Sequence, residues 1–123
     1  MAGKDTSGVV HIPWYATGFR GDALAAALAA FAPIVMRYGA TDYQVFRSRD
    51  DRYRFLQTST WESKLDWERF WEGEDAITFR VNHQGWYQVP VLYVWHDRIA
   101  QGGYPEVTAG PTTPVLSDSP TVA

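Results

Sequence analysis

The chain contains no cysteine, which excludes disulfide crosslinks, a thiolate nucleophile and every zinc, iron–sulfur or haem centre held by cysteine. Lysine is nearly absent, with nine arginines to two lysines and a formal net charge of −3. No general basic field results, so nucleic acid is not an expected partner, although the arginines can still form local anion sites. Long apolar runs are missing as well. The most apolar stretch, residues 23–36, is interrupted by Pro33 and is too short to span a bilayer. The polar residues 1–8 do not open a secretory signal. A cytoplasmic protein with no membrane span is the expectation. No GxGxxG, Walker or nucleophile-elbow sequence occurs, and the three histidines show no HxH or HxxxH spacing, so no metal site is expected.

Aromatic side chains, by contrast, are abundant. Among 123 residues, 46% are hydrophobic and 15% aromatic, with six tryptophans, enough for one domain with a sizeable core. Residues 1–103 read as that domain. Residues 104–123 hold four prolines among serines and threonines and read as a tail, disordered alone or ordered across a partner.

Residues 9–15, VVHIPWY, alternate as a first strand with Val10, Ile12 and Trp14 on its apolar side. Pro13 has no N–H for a ladder, which predicts an edge position or a bulge. Asp22 is the expected N-cap of a helix over 23–38. Leu24, Leu28, Phe31 and Val35 form one stripe at helical spacing. Pro33 should kink or divide that helix, and Gly39 sits where a left-handed cap belongs. Strands over 42–49 and 53–61 follow, joined by the charged turn Asp50, Asp51, Arg52. Both carry apolar residues on both faces, which predicts helices on one face of the sheet and a second subunit on the other. Ser63 caps a helix over 64–71, with Asp66 completing a capping box. Gly73 interrupts it, and a further piece over 75–84 carries Ile77 and Val81 on one face. A last strand, residues 86–99, is broken at Pro90. This order of elements is the ferredoxin-like split βαβ arrangement, an α+β fold with an antiparallel sheet.

The run YGATDYQVFRSRDDRYRFLQTSTWES, residues 38–63, resembles the central stretch of the antibiotic-biosynthesis monooxygenase-like superfamily of dimeric α+β barrels. There too a glycine-containing link precedes a strand, a charged turn, a second strand ending in tryptophan, and a helix opening with serine. The resemblance spans residues 9–99 in element order and is specific over 38–71. It implies a homodimer whose two sheets pack into a barrel. For activity it implies three possibilities: cofactor-independent oxygenation of polyaromatic substrates, haem degradation, or no chemistry. The haem degraders combine an asparagine on the first strand, a tryptophan in the second helix and an iron-ligating histidine about ten residues later. Here Trp71 matches, but the first strand offers His11, and the nearest histidine beyond Trp71 is His83, twelve residues on.

Trp71 is the candidate for stacking a flat aromatic ligand, with Trp67 and Phe70 beside it as ligand-binding residues; Trp67 and Trp71 share a helical face and serve equally well as core. His83 reads as a solvated histidine at a helix C-terminus, or else as a base or iron ligand. Arg47 is the candidate for holding an enolate or carboxylate, and Tyr15 for donating a hydrogen bond. An oxygenase built from these residues would need no flavin, haem or metal. It would rely on a substrate able to give an electron to oxygen, with the protein supplying desolvation, orientation and one base. His11 and His96 lie on strands beside aromatics and read as packed side chains. Two alternatives stand: a non-catalytic accessory dimer that docks to a larger assembly through its tail, and a haem protein. A closed apolar cavity with His83 and Trp71 at its wall would favour the enzyme and haem readings, and a cavity filled by these side chains would exclude both.

Overall fold

The computed structural model of the chain describes residues 7–104, so the tail expected beyond residue 103 lies, from residue 105, outside the described residues. In order come β1 (Gly8–Tyr15), α1 (Gly21–Phe31), a 3-10 segment (Ala32–Tyr38), β2 (Ala40–Arg47), β3 (Arg54–Trp61), α2 (Lys64–Trp71), α3 (Glu74–Asn82) and β4 (Val94–His96). The four strands form one sheet in the order β2-β3-β1-β4, every pair antiparallel. This is the ferredoxin-like α+β arrangement predicted from the element order.

The register sorts side chains between two faces. Val10 lies opposite Ser59, Ile12 opposite Gln57 and Trp14 opposite Phe55, and all six are buried. On this face they meet Leu24, Leu28, Phe31 and Val35, the predicted helical stripe, together with Trp67 and Phe70 of α2. Residues Val9, His11, Leu56, Thr58 and Phe46 belong to the other, open face, where no helix of the described residues packs and Phe46 remains 49% exposed. The apolar content on both faces of these strands therefore has a helical cover on one side only.

Three local expectations are corrected. β1 is not an edge strand: it lies between β3 and β4. Its ladder with β4 covers only Val9 to His11, so the missing N–H of Pro13 falls beyond the end of that ladder. Asp22 is not an N-cap, because α1 begins at Gly21 with Arg20 as its uncapped N-terminal neighbour; Asp22 instead pairs with Arg47 at 2.9 Å. In α3 the buried residues are Ala76 and Phe79, while Ile77 and Val81 are 45% and 58% exposed.

Other signals act as written. Pro33 stands at the start of the 3-10 segment, which ends at Gly39 with φ 111°. Proline lacks the N–H that an α-helix needs there, so the α-helix stops and a tighter turn carries Val35 into the core. The combined run Gly21–Tyr38, 18 residues of mean hydropathy 1.2, is long and apolar enough to cross a membrane by composition alone. Its apolar stripe, however, lies buried against the sheet. Ser63 Oγ accepts from Leu65 N–H at 3.1 Å and caps α2.

Between α2 and α3, a Cβ at Gly73 would collide with the Arg69 carbonyl oxygen. Gly73→Ala is therefore expected to force the two helices apart and destabilise the fold by about 1–3 kcal/mol, read as a lower urea midpoint.

Candidate functional site

α2 and α3 meet the inner face of the sheet through an aromatic cluster. Trp67 is fully buried. Its ring stacks on Trp71 at 5.4 Å and 19° and meets Tyr93 edge-on at 4.9 Å. Trp71 also approaches Trp14 at 6.3 Å, and Trp14 meets Tyr87 edge-on at 4.9 Å. The Arg80 guanidinium lies 3.9 Å above the Trp71 ring, within cation–π range, and its Nη2 donates to the Trp71 carbonyl at 2.9 Å. That bond joins the last turn of α2 to α3 across the Gly73 break.

The cluster holds unmet donors. Gln57 Oε1 accepts from the Trp14 indole at 3.0 Å, yet Gln57 Nε2, Trp67 Nε1 and Arg80 Nη1 are all buried without a partner among the described residues. An unpaired buried donor costs roughly 1–3 kcal/mol, so three around one aromatic cluster call for an explanation beyond packing. Burial holds the Arg80 guanidinium below its ordinary pKa, against the raising effect of Tyr87 and Glu72. It pushes the Tyr87 phenol above its ordinary value, an effect Arg80 opposes.

A cavity of about 550 Å³ opens beside this cluster, lined by Ile77, Arg80, Val81, Tyr87 and Val89 among others, a size suited to a small organic ligand. Its apolar wall uses the outward face of α3, which explains why Ile77 and Val81 are not in the core. Arg80 and Tyr87 form its inner wall, backed by Trp71 and Trp14. The site can thus hold a flat apolar body and supply N–H donors and positive charge to an acceptor. Among the residues lining it, none is a carboxylate or a histidine.

The sequence candidates do not assemble here as one group. Trp71 backs the cavity through the Arg80 guanidinium that lies over its ring, while Trp67 is wholly buried, stacks on Trp71 and does not line the cavity. Phe70 is wholly buried, packed on Phe31 and Tyr38, so it supports the site from behind. His83 is elsewhere. Its ring packs on Phe79 at 4.3 Å and edge-on to Trp86 at 4.7 Å, and Nδ1 lies 2.7 Å from the Phe79 carbonyl. It lines a separate groove of about 410 Å³ with Phe31, Ile34 and Asn82. The reason is helical spacing: His83 follows Phe79 by four residues and shares its face, and Phe79 turns toward α1, stacking on Phe31 at 4.1 Å. These residues therefore do not fit a haem whose iron is held by His83 over Trp71.

Arg47 packs over Phe55 and bonds Asp22 and the Arg52 carbonyl, which pins the β2–β3 hairpin to α1. Tyr15 lies on the open face and donates to Asp51 at 2.6 Å. That bond, followed by the Tyr53 N–H, holds the Asp51 carboxyl below its ordinary pKa. The depressed folded-state pKa makes its contribution to stability present above the ordinary carboxylate value and lost as pH falls through the folded value. Tyr15→Phe is accordingly expected to be slightly less stable than the parent at pH 7, with the gap narrowing as the pH falls below the ordinary carboxylate value, as read by urea melts across that range. Arg80 and Gln57 were not singled out by sequence. The Arg80–Trp71 contact spans nine residues across a helix break, and the Gln57–Trp14 bond joins strands 43 residues apart.

No protein-family model matches the chain, and no curated protein matches it. Solved structures do. A Nitrosomonas europaea protein named as a candidate antibiotic biosynthesis monooxygenase is 17% identical, with a TM-score of 0.70 over 84% of this chain and 100% of that one. A Pseudomonas aeruginosa structure is 21% identical, with a TM-score of 0.67 over 80% of this chain and 100% of its own. SnoaB, a cofactor-independent oxygenase from Streptomyces nogalater, is 13% identical, with a TM-score of 0.64 over 81% of this chain and 98% of its own. The chain has the ferredoxin-like α+β fold of the antibiotic-biosynthesis-monooxygenase-like structures.

Proposed function

We propose that the protein is a small cofactor-independent oxygenase of the monooxygenase-like type, acting on an aromatic substrate bound against Arg80 between α3 and the segment that follows it. The observation that carries this reading is Arg80 at the cavity wall, stacked on Trp71 and with its buried Nη1 unpartnered among the described residues, with the Gln57 Nε2 and Trp67 Nε1 donors buried behind it. Such donors favour a ligand that brings oxygen acceptors into an aromatic site. Because no carboxylate or histidine lines the cavity, the substrate enters as an anion, an ionised phenol or enol, and Arg80 stabilises that form. The electron-rich anion then gives an electron to oxygen, the substrate radical and superoxide couple to a peroxide anion, a proton from solvent makes it the hydroperoxide, and loss of water leaves a carbonyl. The protein supplies orientation and exclusion of water.

A hydroxylated anthrone provides the test, since its oxidation to the quinone consumes one oxygen molecule and releases one water. Oxygen uptake well above that of buffer, with quinone formed, is expected. Uptake equal to buffer sinks the catalytic reading.

We also propose that a second copy of the chain covers the open face, where Phe46 and Val94 are each about half exposed. Light scattering should give a dimer, and Phe46→Asp should shift it toward monomer.

A further inference from the structure

We propose, resting on the reading that a second copy covers the open face, that His11 and His96 make that pairing dependent on pH: the dimer holds at neutral pH and separates in mild acid. The two histidines are 85 positions apart, and nothing in the local sequence links them. The β1–β4 register brings them together: Val9 lies opposite His96 and His11 opposite Val94, so the two rings are diagonal neighbours on one face. Their centroids are 4.3 Å apart. Val94, between them in the ladder, is one of the half-exposed apolar residues that the second copy would cover.

Among the described residues neither ring is paired with a carboxylate. Asp42 of β2 and Arg98 beyond β4 line the same hollow as His11, together with Tyr43, and their opposite charges leave the hollow with no net charge of its own. Asp97 lies with Arg98 beside Val9. On β3, Arg54 sits over the Tyr15 ring, and Tyr15 donates to Asp51, so these groups are engaged with one another farther along β1. His96 Nδ1 lies 3.2 Å from the Val9 carbonyl oxygen. As an N–H it donates there, which pins the ring beside His11 and leaves Nε2 to take any further proton.

In one protomer burial already holds the His11 imidazole below its ordinary pKa, and the charge of His96 lowers it further. A second copy laid over the face removes more water from both rings, and desolvation disfavours the charged form. Two imidazolium rings in contact would also repel each other across a medium that screens them poorly. The covered protomer therefore binds fewer protons than the free one. Association is at full strength above the free protomer's His11 pKa, which lies below the ordinary imidazole value of about 6.5, and weakens as the pH falls through it, by up to about 10-fold per pH unit for each proton taken up on separation.

Sedimentation velocity of the untagged full chain at about pH 7.5 and about pH 5, over a concentration series at one ionic strength, measures the dimer dissociation constant, and circular dichroism confirms that the chain is folded at both. The constant is expected to rise by at least about 10-fold in acid. It should be the same at both pH values in the His11→Asn/His96→Asn double variant, while His83→Asn behaves as the parent. A parent dimer equally tight at both pH values overturns the switch and leaves the dimer standing, whereas a parent that is monomeric at about pH 7.5 overturns the dimer reading and the switch with it. Acid dissociation that persists in the double variant, or that is lost in His83→Asn, also overturns the proposal. Histidine-ring NMR titration of the parent, at concentrations below and above the dissociation constant, reads the same linkage without any substitution: His11 should titrate at lower pH in the concentrated sample, and equal midpoints overturn the proposal.

Discussion

Arg80→Met is expected to weaken binding of an aromatic anion by at least about 10-fold, equivalent to about 1.4 kcal/mol, while leaving the folded protein as stable as the parent within about 1 kcal/mol. The two effects separate because they have different origins. Arg80 is partly buried, and its pKa is lowered chiefly by desolvation, so its charge is a burden on the fold. Methionine keeps much of the volume and covers Trp71 without that burden. What it cannot do is meet an oxyanion. A residue held at the wall of a cavity for its ligand rather than for the fold shows this combination of intact stability and lost binding. Equal losses of stability and affinity would instead make Arg80 a structural clamp between α2 and α3, through its bond to the Trp71 carbonyl.

Trp67→Ala carries the largest expected loss of stability, about 3–5 kcal/mol. Trp67 is wholly buried and its ring meets Trp61, Phe70, Trp71 and Tyr93, so truncation leaves a hole in the middle of the cluster. The informative companion is Trp67→Phe. Phenylalanine retains much of the ring packing and removes the indole N–H that has no partner among the described residues. Relief of that orphan donor offsets part of the lost volume. The expected outcome is a stability loss clearly smaller than that of Trp67→Ala, accompanied by weaker ligand binding. Chemical denaturation and tryptophan-fluorescence titration of the two variants measure both quantities.

Much of the fold was legible in residue patterns. Val10, Ile12 and Trp14 marked the inner face of β1, Leu24, Leu28, Phe31 and Val35 the buried stripe, and Pro33 and Gly39 the change of helix type and its end. These are local signals, each decided within one or two turns of the chain. The misreadings were decided by distant partners. Pro13 lies in a central strand because β4 is too short to reach it, and Asp22 is drawn away from the helix cap by Arg47, 25 positions on. In α3, Ile77 and Val81 have the spacing of a core face, but so do Ala76 and Phe79 one step round the helix. Nine residues offer too few turns for periodicity to choose between them.

The candidate site was less legible for the same reason. Trp71 was recognisable by composition and position. Its partner, however, turned out to be Arg80 rather than His83. Phe79, inward-facing and four residues before His83, fixes the histidine on the α1 side. Gln57 resembled any polar residue of an alternating strand, and only its burial and the cross-strand bond it accepts from Trp14 set it apart.

The most direct measurement is a nitrogen-15 NMR titration of the six tryptophan indole N–H groups and the Arg80 side chain with a hydroxylated anthrone under nitrogen, so that binding is seen without turnover. A ligand bound against Arg80 and the tryptophan cluster should shift the Trp67 and Trp71 indoles together with the Arg80 Nε–H, and these shifts should vanish in Arg80→Met. Shifts confined to Trp86, which packs against His83, or an unchanged titration in Arg80→Met, would contradict it.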